Sequence, residues 1–268
     1  MNKRVSNAKL FSPIKYMGSK ARMLDIIIEN FPKEYEAYIE GFGGGASVLL
    51  RKQLTPVEIY NDLGQNVYSL FKVLQDKQMF EELKNKMDMT YYSLQICKEG
   101  KEQLKQNDLS IVDRAYWFIV SNRMSFNGVG SFCTNLIVRR SMSKCVSDFL
   151  SMIDKLPHIH NRLSSCIIEN RDFFDLIDKY DHPRNFFYLD PPYVAETRTS
   201  NSKYEHEFSD EDHERFVDRC LESKSMILIS GYDHPIYQKL DAKFSKIQFT
   251  SPNTNSNRIE TLWRNYDE

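Results

Sequence analysis

Long apolar runs are missing from this chain of 268 residues. No uninterrupted stretch approaches the roughly 20 residues that a helix needs to cross a bilayer. Residues 1–9 lack the apolar centre of a secretory signal, so export is not expected. Cysteine is sparse: Cys97, Cys133, Cys145, Cys166 and Cys220 are odd in number, scattered, and without a Cys-x-x-Cys spacing. They read as reduced intracellular thiols and argue against a disulfide frame or a zinc site. His158 and His160 stand without a Cys or Asp cluster, so no metal is expected. Internal repeats and low-complexity tracts are absent. With a net charge of −1 the whole molecule is no polycation, and any nucleic-acid contact must come from a local patch.

One such patch is defined by what it lacks. Between Arg114 and Ser147 there is no Asp or Glu, while Arg114, Arg123, Arg139, Arg140 and Lys144 all fall inside. The same stretch holds Asn122, Ser125, Phe126, Asn127, Phe132, Thr134 and Asn135, with Gly128 and Gly130 as turn-formers. Amide and guanidinium side chains read base edges, and basic groups neutralise phosphate. Read as a DNA contact, the segment offers Arg123, Asn127, Arg139, Arg140 and Lys144. Read plainly, it is a solvated loop region poor in acids.

The pattern along the chain alternates strand and helix. Residues 37–40 form a strand, residues 41–45 a glycine loop, and residues 46–50 open a helix. Residues 57–60 form a second strand, followed by a helical pattern at Val67, Leu70, Phe71 and Leu74. From about 77 to 163 the chain reads as helix and loop. Alternation returns with a strand at 166–169, a helix near 173–179, a strand entering Asp190, a helix near 210–221 and a strand at 226–229. Residues 244–249 and 259–263 suggest two closing strands. Such alternation implies an α/β fold with a mostly parallel sheet and helices on both faces. Residues 1–80 and 164–268 are expected to form the catalytic domain, with 81–163 inserted as a mainly helical target-recognition domain.

Asp190-Pro191-Pro192-Tyr193, directly after the apolar run Phe186-Phe187-Tyr188-Leu189, carries the most chemistry. The carboxylate and the Pro191 carbonyl can each accept an N–H from an exocyclic amine. Pro192 fixes the backbone and offers no competing donor, and Tyr193 offers a face for a flat ring. Glu40-Gly41-Phe42-Gly43-Gly44-Gly45-Ala46 follows a strand, where glycines let backbone approach a ligand closely. Val48 occupies the last place of a Gly-x-Gly-x-x-Gly series, so an unphosphorylated adenosine fits better than a dinucleotide. Asp62 lies about 20 residues beyond the loop, where a carboxylate meets a ribose diol; it is equally suited to cap a helix. Lys15-Tyr16-Met17-Gly18-Ser19-Lys20 precedes an amphipathic helix, and an ammonium there could hold a ligand carboxylate. Together these features describe S-adenosylmethionine beside an amine acceptor.

In order and over nearly the full length, these residues resemble the Dam-type (D12 class, alpha group) DNA adenine-N6 methyltransferases. The matching stretches are 15–20, 38–50, 59–62, 170–174 and 190–193, then 208–210, 226–234 and the ending Glu260-Thr261-Leu262-Trp263-Arg264-Asn265-Tyr266. The resemblance implies a Rossmann-like methyltransferase sheet and S-adenosyl-L-methionine as cofactor, leaving S-adenosyl-L-homocysteine, with no metal. It implies that Tyr16 and Lys20 meet the methionine end, that Asp62 holds the ribose, and that Asp172 and Phe173 lie by the cofactor's adenine. Glu40, Phe42, Gly43, Gly44, Gly45 and Asp190 belong to the same cofactor set. Asp190 and the Pro191 carbonyl would bind the target N6 amine, with Pro192 and Tyr193 completing the catalytic motif and Tyr193 stacking on the flipped base. Two departures stand out: Glu40-Gly41-Phe42 replaces the family's usual Glu-Pro-Phe, and Ala46 replaces a later loop glycine. The target-reading hairpin signature of GATC-methylating members is not evident, so the recognition sequence is not carried over.

The expected reaction is direct transfer of the sulfonium methyl to adenine N6 in double-stranded DNA after base flipping. Cytosine-C5 chemistry would need a Pro-Cys pair, which the chain lacks. The alternatives are an RNA or cytosine-N4 methyltransferase, or a catalytically inactive DNA-binding subunit of a modification system. The expected setting is the cytoplasm of a bacterium, with host or phage origin open. The protein is expected to be a monomer without membrane contact, with a cognate restriction endonuclease as partner.

Overall fold

The central strands are apolar on both sides, the pattern of strands covered from both faces. All four residues of β1 (Ala37–Glu40) are buried, as are the last four of β2 (Val57–Asn61) and of β6 (Asn185–Leu189). The computed structural model of the chain describes residues 10–16, 18, 20, 23–194, 207–250 and 259–267. The expected reading of residues 1–9 lies outside them.

Seven strands form one sheet in the order β5-β2-β1-β6-β7-β9-β8, with β5 (Ile167–Glu169), β7 (Met226–Gly231), β8 (Ser245–Thr250) and β9 (Ile259–Arg264) completing it. β1 runs parallel to β2 and β6, and β6 parallel to β7. β9 enters antiparallel to both β7 and β8. The mixed α/β class and mostly parallel sheet agree with the sequence expectation. Strand order reverses at β1, which has β2 on one side and the much later β6 on the other. Open α/β sheets bind ligands at the carboxyl ends of the strands beside such a switch.

The chain divides into two compact units, comprising residues 20–43, 52–64 and 169–268, and residues 1–19, 44–51 and 65–168. In the first, Ile39, Ile59, Phe187, Leu189, Ile227 and Ile229 share one face of the sheet. They pack with Phe173, Leu176 and Ile177 of α7 (Phe173–Tyr180) and with Phe216, Val217 and Cys220 of α8 (Asp210–Glu222). Ser209 caps α8 through a capping box with Asp212, satisfying two otherwise orphaned donors. On the opposite face Phe31, just past α1 (Leu24–Glu29), meets the rings of Phe186 at 4.7 Å and Tyr38 at 5.7 Å.

The second unit is mainly helical. α2 (Gln65–Gln75), α3 (Lys77–Asp88), α4 (Leu94–Gln103) and α5 (Ile111–Met124) are joined by short connections, and the longer segment 125–143 leads into α6 (Lys144–Leu163). Asp76, Ser93 and Ser110 cap α3, α4 and α5 with side-chain acceptors. The buried stripe Val67, Leu70, Phe71 and Leu74 places α2 among these helices.

Two local expectations are corrected. No helix follows the glycine loop: residues 47–51 form turns, closed by Leu50 N–H to Ala46 O and Arg51 N–H to Val48 O. Gly44 (φ 46°) and Ala46 (φ 54°) take the left-handed conformation, which breaks a helical path before it starts. That conformation explains why glycine suits position 46 better than the alanine found here. The apolar character of residues 46–50 reflects burial in this turn. Second, the acid-free segment contains a two-stranded hairpin, β3 (Val138–Arg139) with β4 (Met142–Ser143). Its turn residues Arg140 (φ 53°) and Ser141 (φ 61°) both have positive φ, as a type I′ turn requires. Neither is the Asn or Gly that announces such a turn in sequence.

All five cysteines are free thiols, with Cys133 Sγ 3.3 Å from Cys145 Sγ. Among the described residues no helix is long and apolar enough to cross a membrane.

Candidate active site

Parallel register brings the chemistry together. Glu40 pairs with Tyr188 and Leu189 with Ile229, so Gly41 and Asp190 leave the carboxyl ends of β1 and β6 beside Ser230, the next-to-last residue of β7. Lys20 Nζ lies 2.6 Å from Asp190 Oδ1, and the Ser230 hydroxyl donates to the same oxygen at 3.0 Å. Lys20 also hydrogen-bonds the Tyr193 hydroxyl and sits 4.7 Å from that ring's centroid. Burial pushes the Asp190 carboxyl above the ordinary carboxylate range, and Lys20 and Ser230 offset only part of this. Burial alone would lower the Lys20 pKa; neighbouring Asp190 reverses the sign and holds the ammonium charged.

Beyond the carboxylate the Tyr193 and Tyr232 rings face one another at 4.8 Å and 51°. With Pro191, Val194, Ser230, Gly231 and Tyr237 they line a small recess of about 10 Å³. An aromatic face beside one anchored carboxylate suits a flat ring that carries an amine.

At the neighbouring strand ends Asn61 acts as a clasp. Its amide donates to the carbonyls of Gly41 and Arg171 at 3.0 Å each and accepts the Arg171 N–H at 2.8 Å. Gly43 N–H donates to Asn61 O at 2.8 Å, and a Cβ on Gly43 would stand 2.1 Å from the buried Tyr60 ring. Gly43→Ala is therefore expected to cost about 1–3 kcal/mol through overpacking and to weaken cofactor affinity. Urea unfolding and calorimetric titration of the variant measure the two effects.

The other expected cofactor residues have these positions. Asp62 is buried at the end of β2 and its Oδ1 accepts Gly64 N–H, the short-range turn bond of an aspartate. Asn170 fastens that segment through the carbonyls of Asp62 and Leu63. Glu40 is buried and accepts the Tyr38 hydroxyl at 2.6 Å. Asp172 caps α7 by accepting Phe174 N–H, and Phe173 is buried with its ring stacked on Phe42 at 5.1 Å. In the helical unit the Tyr16 ring lies where a Cβ on Gly44 would be, and Gly45 packs on Ser12 and Tyr16.

The chain matches the family model described as D12 class N6 adenine-specific DNA methyltransferase over residues 16–260. The protein belongs to that family. It is 28% identical over 262 residues to the Type II methyltransferase M.MjaIII of Methanocaldococcus jannaschii, covering 87% of this chain and 88% of that protein. Against the Type II methyltransferase M1.LlaDCHI of Lactococcus lactis subsp. cremoris it is 26% identical, with 89% and 88% covered. It is 27% identical to the modification methylase StsI of Streptococcus sanguinis, of which it spans 31%. Among solved structures it resembles an rRNA methyltransferase, aviRa of Streptomyces viridochromogenes, at a TM-score of 0.42, 11% identity and 98% coverage of this chain. This D12 methyltransferase is thus a site-specific enzyme for adenine N6 in DNA, and S-adenosylmethionine is the methyl donor that its family implies.

The expected DNA-reading residues of this methyltransferase lie in its helical unit. Arg139, Arg140, Asn127 and Lys144 are exposed. Arg139 and Lys144 both pair with Asp148, and Arg140 donates to the Ser151 hydroxyl at 3.0 Å. Arg123 is only partly exposed and donates to the Asp148 carbonyl. Asn122 is buried and ties the Lys15 backbone at both its N–H and its carbonyl, so its amide is structural. Ser230, Tyr232 and Asn61 were not among the expected site residues. The signal that could have found them is positional: each lies within one residue of a strand's carboxyl end.

Proposed function

We propose that Asp190 and the Pro191 carbonyl accept the N6 amine of a flipped adenine that stacks on Tyr193. The observation that carries this reading is the anchored Asp190 carboxylate beside that aromatic recess. A base inside a duplex cannot enter such a recess, so the target must leave the stack. Acceptors aimed at the amine raise its nucleophilicity as it becomes tetrahedral, by positioning and electrostatics.

The donor groups around the strand ends fit the cofactor. The Asp62 carboxylate follows β2 for the ribose diol, and Phe42 with Phe173 offers an apolar aromatic edge for adenine. Bound there, the cofactor supplies an electrophilic methyl group. Asp62, Gly43 and Asp172 would hold it, and Lys20 supplies positive potential for its methionine carboxylate. Glu40 supports the loop from below through Tyr38. Tyr16, Gly44 and Gly45 are assigned to the cofactor from the motif alone. The reaction releases S-adenosylhomocysteine and needs no metal.

For DNA contact we assign the β3–β4 hairpin with Arg139, Arg140 and Lys144, supported by Arg123 and Asn127. Leu136 is 99% exposed and Val138 74%, so the hairpin offers apolar surface as well as cations. Arg139→Ala with Arg140→Ala is expected to weaken DNA binding and to flatten the slope of log K against log salt by about 1 for each phosphate left without its cation. Fluorescence anisotropy from 50 to 200 mM salt, roughly the range over which such contacts weaken, reads the slope. The same recognition unit would act in the cytoplasm, as a monomer, as the modification partner of a restriction endonuclease.

The test is incubation with methyl-labelled S-adenosylmethionine and unmethylated genomic DNA, followed by nucleoside mass spectrometry and modification mapping. The expected result is N6-methyladenine in one short sequence context. Label confined to RNA or to cytosine would overturn the assignment.

A further inference from the structure

β6 and β7 run parallel with Leu189 beside Ile229, so Asp190 leaves β6 next to Ser230, which is still within β7. Ser230 is 1% exposed, and its hydroxyl donates to Asp190 Oδ1. A hydroxyl carries one proton. With that proton committed to Asp190, the 2.9 Å contact between Ser230 Oγ and the Tyr188 hydroxyl has one consistent direction, with Tyr188 donating. Tyr188 is buried, and burial beside Asp190 raises its pKa well above the usual value, so it keeps its proton throughout the working range. Lys20 addresses the same Oδ1. Among the described residues these are the side-chain donors to the carboxylate, and both converge on one oxygen.

We propose that Tyr188 and Ser230 are positioning residues for methyl transfer. Their one-way hydroxyl chain, together with Lys20, pins Oδ1 of Asp190 and leaves Oδ2 to receive the target amine. The inference rests on the reading of Asp190 as the amine acceptor. It assigns work to two buried hydroxyls that no cofactor or DNA contact explains. A carboxylate free to rotate would spend part of its time with the wrong lone pairs toward the amine, and misplacement of about 1 Å can cost roughly 100-fold in rate.

Ser230 also helps keep Asp190 ionised, so its loss has a pH signature. The other ionisable group acting on the carboxyl is Lys20, while Tyr188 and, from the 3₁₀ turn at Pro235–Ala242, Tyr237 feel the Asp190 charge and stay protonated. Glu260 of β9 and Glu40 of β1 act on Lys20 and Tyr188 in turn. Removing a donor to the carboxylate favours its acid form, which moves the acid limb of kcat to higher pH.

The experiment compares Ser230→Ala, Ser230→Thr, Tyr188→Phe and Asp190→Asn with the full-length enzyme on unmethylated genomic DNA. Ser230→Ala is expected to lower kcat by roughly 10- to 100-fold, with both KM values near normal and the acid limb shifted upward. Ser230→Thr restores most of the rate, because it returns the hydroxyl. Tyr188→Phe keeps its ring in the core, loses only the donor, and shifts kcat and the acid limb in the same direction by less. If Ser230→Ala does not fold, Tyr188→Phe decides. Unchanged kcat and pH profile in the folded variants, with Asp190→Asn inactive, overturns the positioning role alone. Near-normal turnover by Asp190→Asn overturns the reading of the site, and the positioning role with it.

Discussion

Replacing Asp190 with alanine ends methyl transfer to DNA while S-adenosylmethionine binding stays measurable. In the proposed function the carboxylate is the charged acceptor of the amine, and Lys20 and Ser230 hold it. Its loss removes an interaction that strengthens as the amine becomes tetrahedral, so kcat falls by roughly 10³-fold or more. Equilibrium titration of the variant with the cofactor separates this from loss of binding. Near-normal turnover would remove Asp190 from the mechanism. The wild-type pH profile carries the same information. The acceptor works only when ionised, and burial raises its pKa above the ordinary aspartate value. The rate should therefore fall on the acid side at a pH above about 3.9, the value of an unperturbed aspartate.

Lys20→Met is the substitution with the largest expected effect on stability. The Lys20 ammonium is 3% exposed and Asp190 20%, so removing the cation strands a largely buried carboxylate. Breaking a buried pair from one side costs about 3–5 kcal/mol, read as a lower urea midpoint. The sign with pH follows from linkage. Lys20's folded pKa is raised, so its contribution is fully present below the unfolded lysine value and is lost as pH rises through the folded one. Asp190's folded pKa is also raised, so its burial costs stability as pH rises from the unfolded aspartate value through its own. Without Lys20 that second window widens upward. The deficit of Lys20→Met should thus be largest near neutral pH and shrink on acidification, as Asp190 takes a proton. A deficit that grows on acidification would contradict the buried-pair account.

Much of the fold was legible because strand and helix periods are local. The strands at 37–40, 57–60 and 226–229 and the helices near 173 and 210 lie where alternation placed them. The helix expected from Ala46 was a misreading of apolar content, since buried turns and helices use the same residues and only the backbone at Gly44 and Ala46 separates them. The β3–β4 hairpin escaped because two-residue strands have no period and its turn uses Arg140 and Ser141 in place of glycine. For the site, Asp190 and Tyr193 were visible as a motif, whereas Ser230 looked like any strand-end serine. Its partnership with Asp190 spans 40 positions of sequence.

What the sequence determined by itself is the chemistry: a carboxylate, rigid prolines and an aromatic after a buried strand, with glycines and Asp62 in the order that its family shares. Those are properties of contiguous residues, written wherever the chain is written. Tertiary structure decided which groups act on that carboxylate. Lys20, Tyr188 and Ser230 come from the segment before α1, from β6 and from β7, and they meet only because parallel strands align their carboxyl ends. Burial then sets the charge states, raising the Asp190 pKa and fixing Tyr188 as a donor. Desolvation depends on everything packed around a group, and no local stretch of sequence contains that.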